Sequence, residues 1–461
     1  MNEKKKPILG QEAVIDARTL GTPRMLILGL QHLFAMFGAT VLVPILVQGY
    51  GLPLSIQTTL LMAGLGTLLF HVCTKFKVPA FLGSSFAYLG GFSTVASMPA
   101  YDGLDPELKL AYALGGIVIA GLLYLVLALL FKVLGAKTVM RYFPPIVTGP
   151  MIIMIGLNLS GSAITNASSC WWLALVSMAI IVVANIWGKG MVKIIPILLG
   201  VVGSYIVAVI ATLCGAQLPD ANGVMQPLVN FASVGEAHLI GLQKFILAKF
   251  DVSAVLVMAP IAIAAMMEHI GDISAISSTT GNNFIADPGL HRTLTGDGLA
   301  TAFAGMFGGP ANTTYGENTG VLALTKIYDP LVIRIAAVFA MILSFCPKFE
   351  AVINTIPSGI VGGISFVLYG MISAIGVRNV VENKVDFTNS RNLIIAAVIL
   401  VCALGFNSVG GITFAIAGVN INLSGLAIAA IAGILLNAIL PGNDYEFDEG
   451  SNEPESASLR V

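Results

Sequence analysis

Charged residues are scarce in this sequence. Asp, Glu, Lys and Arg together supply 10% of the 461 residues, whereas apolar residues supply 56%. A soluble domain carries about 25% charged residues, so this shortage excludes a chain that is folded entirely in water. The formal net charge of −1 gives no indication of nucleic acid or of an acidic partner. We predict a helical membrane protein, because the few charges lie between long apolar runs.

Cysteine is scarce too, and its spacing carries no metal or redox motif. The five cysteines are far apart and include no CxxC pair, which argues against a disulfide framework and a zinc site. We predict no metal, no cofactor and no catalytic residue. The basic start at residues 4–6 is not followed by a short apolar segment with a small-residue cleavage site. The first apolar run is therefore predicted to be a membrane span rather than a signal peptide.

Apolar segments of membrane length are abundant. We predict fourteen, at 24–48, 53–73, 78–98, 110–133, 142–160, 170–187, 193–213, 252–276, 293–308, 311–326, 329–347, 355–377, 391–406 and 423–440. Most approach the ~20 residues that a helix needs to cross a bilayer. The third, ninth and tenth are short or rich in Gly, Ser, Thr and Pro.

The distribution of Lys and Arg supports this number of spans. With the N-terminus inside, 19 of the 23 basic residues lie on the cytoplasmic side, as the positive-inside rule requires. The four outside are Lys109, Lys244, Lys249 and Lys348. Omitting one internal span would invert every later loop and remove this bias. We predict a multi-pass protein of the plasma membrane with both termini in the cytoplasm.

The chain divides into two halves of seven spans. Residues 24–213 are predicted as the first repeat and 252–440 as the second, joined by the connection 214–251. Residues 1–23 and 441–461 are predicted as cytoplasmic tails, the second acidic. An odd number of spans in each half gives the halves opposite orientations, as in transporters built from inverted repeats.

The third span of each half is interrupted by glycine and other breakers of regular helix. Residues 78–92 read VPAFLGSSFAYLGGF, and residues 308–320 read GGPANTTYGENTG. Such paired, interrupted segments indicate a transporter binding site, because broken backbone at membrane depth must be buried or line a cavity. The alternative is a packing irregularity in a glycine-rich bundle.

Ionisable residues in the eighth span are the second indication of a site. Glu268 and Asp272 lie one helical turn apart on one face, and each is costly to place in a membrane. Two carboxylates this close resist being ionised together, so we expect them to titrate as a coupled pair. His269 lies about 100° round the helix from Glu268 and is predicted to face a neighbouring helix.

Further polar residues lie in the first, ninth and tenth spans. Glu317 and Asn318 lie in the interrupted stretch itself, and His32 lies in the first span. A lone histidine such as His32 often only bridges helices, and each carboxylate has the alternative of being a buried structural group. Asp297 in the ninth span is predicted either as a helix N-cap or as a functional acid.

Four motifs follow one another along the chain: QHLFAMFGATVLVP at 31–44, VPAFLGSSFAY at 78–88, EHIGD at 268–272 and NTTYGENTGVLALT at 312–325. In this order they resemble the nucleobase–ascorbate transporter family, and most closely its bacterial uracil permeases. The family signature, Gln/Glu/Pro-Asn-x-Gly-x4-Thr-Arg/Lys/Gly, is present as ENTG at 317–320 followed by TK at 325–326. The resemblance extends from about residue 20 to residue 440.

The resemblance implies an all-α fold of fourteen spans in two inverted repeats, with a short strand in spans three and ten. Spans 1–4 and 8–11 would form a core domain, and spans 5–7 and 12–14 a gate domain. A homodimer would form through the gate domains, within membrane lipid.

The resemblance also implies the residues of the site. Glu268 and Glu317 would bind a nucleobase through their carboxylates, and the backbone N–H groups of Phe86 and Gly316 would donate to its carbonyls. Uracil offers two ring N–H donors and two carbonyl acceptors, which these groups complement. The residues that would contact the ring or support the site are Ala39, Tyr315, Tyr369, Asn318, His32 and Ser85.

One position departs from the uracil permeases, whose motif resembles EHxGH. This chain has Asp272 in the last place, as purine-transporting relatives do, but those relatives usually have Gln where this chain has Glu317. Because Glu317 would touch the base directly, the sequence favours a proton-coupled uracil symporter over a xanthine or urate symporter. Asp272, with Glu268, would then be the proton-coupling group.

Two other classes of protein are open from the residues alone. A membrane-embedded hydrolase could use Glu268, but His269 at the next position is badly placed for a metal pair or for a nucleophile and its base. A channel is the second, although the sequence has no repeated filter motif. Transport of a small polar molecule is therefore the function that the sequence predicts.

Overall fold

The computed structural model describes residues 13–219, 224–416 and 419–442, and it is mostly helical. The tails at 1–12 and 443–461 and the centre of the inter-repeat connection, 220–223, lie outside the described residues. The α-helices in the described part are α1 Thr22–Gly49, α2 Ile56–Cys73, α3 Leu89–Ala96, α4 Pro106–Leu134, α5 Ala136–Met140, α6 Pro145–Asn158, α7 Ser160–Ser168, α8 Trp171–Ile186, α9 Met191–Ile194, α10 Pro196–Leu213, α11 Ala232–Glu236, α12 Val252–Met258, α13 Ile261–Thr280, α14 Leu290–Met306, α15 Gly316–Thr325, α16 Pro330–Ser344, α17 Pro347–Ile353, α18 Ser358–Glu382, α19 Ser390–Ser408 and α20 Gly425–Ile439.

Six short strands form three antiparallel pairs in the described residues. They are β1 Leu82–Ser84 with β4 Asn312–Thr314, β2 Gln217–Pro219 with β3 Met225–Pro227, and β5 Ile412–Ile416 with β6 Val419–Leu423. The strands predicted for the third and tenth segments are thus present, as β1 and β4. The other two pairs lie between predicted spans and were not predicted. Short 3-10 helices at Ala17–Leu20, Phe86–Tyr88 and Pro99–Tyr101 and one π-helix at Ile285–Gly289 complete the elements.

Eight helical segments of the described chain are long and apolar enough to cross a membrane. They are Thr22–Gly49, Ile56–Cys73, Pro106–Leu134, Pro145–Ser168, Pro196–Leu213, Val252–Thr280, Ser358–Glu382 and Ser390–Ser408. α16 and α17 make a ninth if this pair, bent by 89°, is counted as one span. Helix is present in each of the fourteen predicted segments, and several of the remaining helices are shorter. A total of fourteen spans stays a prediction.

Polar residues at the ends of apolar runs cap six of the helices. An N-cap side chain that accepts a hydrogen bond from a backbone N–H of the first turn satisfies a group that the helix itself leaves unpaired. The structure shows this arrangement at the starts of α2, α4, α12, α16, α19 and α20, where the caps are Ser55, Asp105, Asp251, Asp329, Asn389 and Ser424. Polar side chains therefore mark the starts of these six helices.

The helices pack most extensively in two groups. In the first group α4 packs on α14, α2 packs on both α14 and α16, and α1 packs on α16. In the second group α18 packs on α6, α7 and α8, α10 packs on α8, and α19 packs on α20 and α6.

Glycine brings the backbones together in each group, as is typical of membrane helices. A Cβ on Gly298 of α14 would lie 2.7 Å from the carbonyl oxygen of Gly121 in α4. In the other group, a Cβ on Gly376 of α18 would lie 2.7 Å from the carbonyl oxygen of Gly149 in α6. A real side chain at either glycine would have to separate the two helices.

Candidate functional site

The centre of the site is the buried sheet of β1 and β4. Leu82 pairs with Thr314, and Ser84 pairs with Asn312. Hydrogen bonds from the N–H of Ser85 to the oxygen of Ala311 (2.8 Å) and from the N–H of Tyr315 to the oxygen of Phe81 (2.9 Å) extend the ladder at both ends. Helical turns begin immediately afterwards, at Phe86 and at Gly316. The first N–H groups of these turns have no partner within their own helix and are available to a polar ligand.

Tyr315 ties this sheet to α1. Its hydroxyl donates to the backbone oxygen of Ser84 (2.9 Å) and lies 3.2 Å from Oγ of Ser84. Oγ1 of Thr40 in α1 lies 3.3 Å from the same hydroxyl, and Oγ of Ser84 donates to the backbone oxygen of Thr40. The Tyr315 ring lies against Gly83, where a Cβ would collide with it. The motifs at 31–44 and 78–88 contain Thr40, Gly83 and Ser84, but the sequence assigned none of them an individual role, because their partners lie in distant segments.

The three predicted acidic residues come together beside the sheet. Glu268 and Asp272 lie on α13, and Glu317 lies in the first turn of α15. The carboxylates of Glu268 and Glu317 both interact electrostatically with Asp272. Oδ1 of Asp272 lies 3.6 Å from where a Cβ on Gly316 would be. Oε2 of Glu268 is buried without a hydrogen-bond partner among the described residues, so it is an acceptor that a ligand can satisfy.

His269 and Asp297 connect the acidic helix to the sheet and to α14. Nδ1 of His269 lies 2.9 Å from Oγ1 of Thr314 in β4 and 3.1 Å from Oδ2 of Asp297. The prediction that His269 faces a neighbouring helix is confirmed. The N-cap alternative for Asp297 is wrong, because this residue lies in the middle of α14, buried against His269, while the helix begins at Leu290.

His32 and Asn318 connect α1 to α15. The side-chain amide of Asn318 donates to the backbone oxygen of His32 (3.1 Å) and lies 3.2 Å from Nδ1 of His32. Both side chains are buried, as are Ala39 on α1 and Ser85 beside β1. Oγ of Ser85 has no hydrogen-bond partner among the described residues. The His32–Asn318 contacts hold α1 against α15, and a supporting role for these residues stays a prediction.

Phe86 and Tyr369 bring the two helix groups together. Their rings meet edge to face with centroids 5.9 Å apart, and both side chains are buried. Tyr369 belongs to α18, and its hydroxyl lies 3.5 Å from Oγ of Ser162 in α7. An aromatic pair therefore joins the helical turn Phe86–Tyr88, which follows β1, to the second helix group.

A cavity of about 470 Å³ lies between the two helix groups at the start of α15. Its volume is that of a small-molecule pocket. Gly316 and Glu317 line it from one side, and Ile375 and Arg378 of α18 line it from the other. Lys193 also lines the cavity. Because Lys193 and Arg378 are predicted to be cytoplasmic, the cavity leads from Glu317 towards the predicted cytoplasmic face.

Comparison with known proteins decides the family. A family model described as "Permease family" matches residues 23–412. The chain belongs to this family, the nucleobase–ascorbate transporters. This confirms the resemblance of the four motifs, and it makes the protein a multi-pass membrane permease rather than an enzyme.

Similar curated permeases cover most of this chain. A probable uracil permease of Haemophilus influenzae is 41% identical over 424 residues, which are 90% of this chain and 93% of that protein. The uracil permease of Bacillus caldolyticus is 40% identical over 466 residues, 98% of this chain and 99% of that protein. The uracil permease of Bacillus subtilis is 39% identical over 431 residues, 89% and 91% of the two chains.

Solved structures share the fold at much lower identity. The transmembrane domain of the cyanobacterial bicarbonate transporter BicA is similar with a TM-score of 0.56 and 18% identity, over 92% of this permease and 98% of that chain. Murine Solute Carrier 26 family member A9, in an inward-facing state, has a TM-score of 0.61 and 12% identity over 95% of this permease and 73% of that chain. These similarities establish a membrane transporter fold and carry no information on substrate.

Proposed function

We propose that this permease imports uracil together with protons across the plasma membrane by alternating access. The observation that carries the proposal is the meeting of Glu268 and Glu317 beside two helix N-termini that start from one buried sheet. Permeases about 40% identical over most of the chain are named for uracil.

The chemistry of uracil fits this arrangement. Uracil presents N–H donors at two ring positions and carbonyl acceptors at two others. Carboxylates accept from the N–H groups, and the free backbone N–H groups at Phe86 and Gly316 donate to the carbonyls. Ala39, Tyr315 and Tyr369 would enclose the ring. A xanthine or urate symporter is the second candidate, but Glu317 favours uracil because purine transporters of this family usually have Gln there.

Alternating access requires two bodies that move against each other. The helix group of α1–α4 and α12–α16 would be the core, which carries the acidic residues and the sheet. The group of α6–α8, α10 and α18–α20 would be the gate, in keeping with fourteen spans in two inverted repeats. The cavity that joins Glu317 to Lys193 and Arg378 represents the inward-facing state in this scheme. The gate groups would also form the homodimer.

Proton coupling would use Asp272 together with Glu268. Three carboxylates in one buried site repel one another, so a proton held there stabilises the loaded site. Release of uracil to the cytoplasm would let that proton follow. In similar uracil permeases a histidine supplies the titrating group. In this permease the carboxylic acid of Asp272 would supply it.

The experiment that tests this function uses purified protein in liposomes, where no enzyme can trap the substrate. An inward proton gradient should concentrate unmodified radiolabelled uracil, and a proton ionophore should abolish the accumulation. Unlabelled uracil should compete more strongly than xanthine, urate or thymine. Stronger competition by xanthine or urate would transfer the assignment to the purine symporter, and accumulation without a proton gradient would reject proton coupling.

A further inference from the structure

A proline lies inside the first membrane helix. Pro44 is buried within α1. Proline has no backbone N–H, so it cannot donate to the oxygen of the residue four positions earlier, and its ring crowds that carbonyl. In α1 the earlier residue is Thr40, whose carbonyl therefore lacks its helical donor. A buried carbonyl without a hydrogen bond is costly, so another part of the molecule has to supply one.

Ser84 of β1 supplies this hydrogen bond. Its Oγ donates to the backbone oxygen of Thr40 (2.9 Å), and both side chains are completely buried. The two residues are 44 positions apart in the sequence, so the bond joins α1 to the sheet. Pro44 thus turns a carbonyl that would be used inside the helix into an attachment point for β1.

The hydroxyl of Tyr315 completes a buried hydroxyl cluster with Thr40 and Ser84. It donates to the backbone oxygen of Ser84 (2.9 Å), and the hydroxyl of Thr40 donates to it (3.3 Å). A phenol has a single proton to donate, and here that proton is used within the protein. Tyr315 therefore offers a bound base its ring rather than a hydrogen-bond donor.

The hydroxyl cluster joins the three segments that carry proposed substrate contacts outside α13 and α18. In each segment one member of the cluster lies within two residues of such a contact: Thr40 beside Ala39, Ser84 two positions before Phe86, and Tyr315 beside Gly316. Hydrogen bonds of the cluster are what tie α1, β1 and the start of α15 to one another at this point. A shift of one segment would move its substrate contact relative to the other two.

We propose that Thr40 is a positioning residue for the substrate and that Pro44 enables this role by freeing its carbonyl. Thr40 holds Ser84 through that carbonyl and Tyr315 through its hydroxyl. The free N–H groups at the starts of the two helical turns are thereby set at a fixed distance from α1. This inference rests on the proposed function, which supplies the nucleobase contacts. A residue that only supports the fold would alter stability and leave the affinity of the folded protein unchanged.

Pro44→Ala separates positioning from stability. The new N–H points at the oxygen of Thr40 from within α1, so the helix closes its own hydrogen bond and draws the carbonyl away from Ser84. Purified full-length Pro44→Ala should bind uracil roughly two- to tenfold more weakly, the effect of one neutral hydrogen bond. Its melting temperature should not fall, because alanine favours helix over proline. Calorimetric titration measures the affinity and the number of competent sites separately, and wild-type affinity in this variant would overturn the proposal.

Pro150→Ala is the matched control. Pro150 is likewise buried inside a helix, α6, which supplies none of the proposed substrate contacts. This substitution also adds a backbone N–H within a helix and should leave uracil affinity unchanged. An equal loss of affinity in Pro150→Ala and Pro44→Ala would show a general effect of helix straightening and would reject a specific role for Thr40.

Substitutions of Thr40 itself give a second test. Thr40→Val keeps the shape of the side chain without its hydroxyl and should weaken uracil binding roughly two- to tenfold at an unchanged number of sites. Thr40→Ser retains the hydroxyl and should restore the affinity. Thr59→Val is the control, because it removes a buried hydroxyl that bonds to Ser55 at the start of its own helix. Equal affinities of Thr40→Val and Thr40→Ser would contradict positioning through the hydroxyl.

A double variant tests the link between the proline and the sheet. Pro44→Ala/Ser84→Ala should bind uracil no more weakly than Ser84→Ala, because both changes remove the same hydrogen bond. Additive losses would overturn the link. The proposed function fails differently: wild-type protein that binds xanthine instead of uracil corrects the substrate, and the same variants titrated with xanthine then decide the role of Thr40. Wild-type protein that binds neither base would reject the function and this inference together.

Discussion

Nδ1 of His269 lies 3.1 Å from Oδ2 of Asp297, and both side chains are completely buried. This contact is made between α13, the helix of Glu268 and Asp272, and the centre of α14. The same imidazole nitrogen lies 2.9 Å from Oγ1 of Thr314 in β4. One histidine of the acidic helix therefore contacts both α14 and the sheet of β1 and β4.

Removal of Asp297 should destabilise the core helices. Asp297→Ala leaves the buried imidazole of His269 without this neighbour, and an unsatisfied buried polar group costs about 1–3 kcal/mol. Asp297→Asn keeps an acceptor in the same place, so this variant should lose less stability than Asp297→Ala. Thermal unfolding of the purified proteins measures both, and equal melting temperatures for Asp297→Ala and wild type would refute a positioning role.

Glu317→Gln should weaken uracil binding without disturbing the fold. The substitution keeps the shape but replaces a charged acceptor, and losing a charge-assisted hydrogen bond costs roughly 1.5–3 kcal/mol, or about ten- to a hundredfold in affinity. Glu236→Gln changes an exposed carboxylate in α11 and is the matched control. Calorimetric titration with uracil checks both, and wild-type affinity in Glu317→Gln would remove this residue from the site.

Asp272→Asn should separate binding from proton coupling. The amide is a neutral mimic of the protonated acid, so the variant should still bind uracil and exchange it across liposome membranes. It should not concentrate uracil on an imposed pH gradient, and its binding should depend less on pH than that of the wild type. Uphill uptake by this variant would assign Asp272 a structural role and leave coupling to Glu268.

Gly83→Ala should distort the sheet. The new methyl group would collide with the Tyr315 ring, and such overpacking costs typically 1–3 kcal/mol. Gly90→Ala in α3 has no atom within 4 Å of its Cβ and should be neutral or slightly stabilising, because alanine favours helix over glycine. Melting temperatures and uracil affinities of the two variants should diverge; equal values would show that β1 tolerates a side chain at Gly83.

Topology can be tested by reporter fusions. Nineteen of the 23 basic residues lie inside only if the number of spans is even. A reporter that works only in the cytoplasm should be active after Val461, and one that works only outside should be inactive there. Placed in the 214–251 connection, the two reporters should give the opposite result. External activity after Val461 would contradict the fourteen-span prediction.

The sequence by itself determined the helical segments and the chemistry available to the site. Apolar runs of membrane length and their capping residues specify the helices locally. Glycine and proline interrupt the third and tenth segments, and β1 and β4 form there. Glu268 and Asp272 are neighbours on α13 because helix periodicity fixes their spacing. These features depend on residues that are close together in the chain.

Only the tertiary structure decided which of these groups meet. Tyr315 and Ser84 are 231 residues apart, and Asn318 and His32 are 286 residues apart. Phe86 and Tyr369, whose rings are in contact, are likewise far apart in the sequence. No local periodicity encodes such pairs, because they arise from glycine-mediated packing between helices. For the same reason the sequence alone did not distinguish a helix cap from a functional acid at Asp297. The packing of α13 against α14 shows that this residue lies inside α14, next to His269.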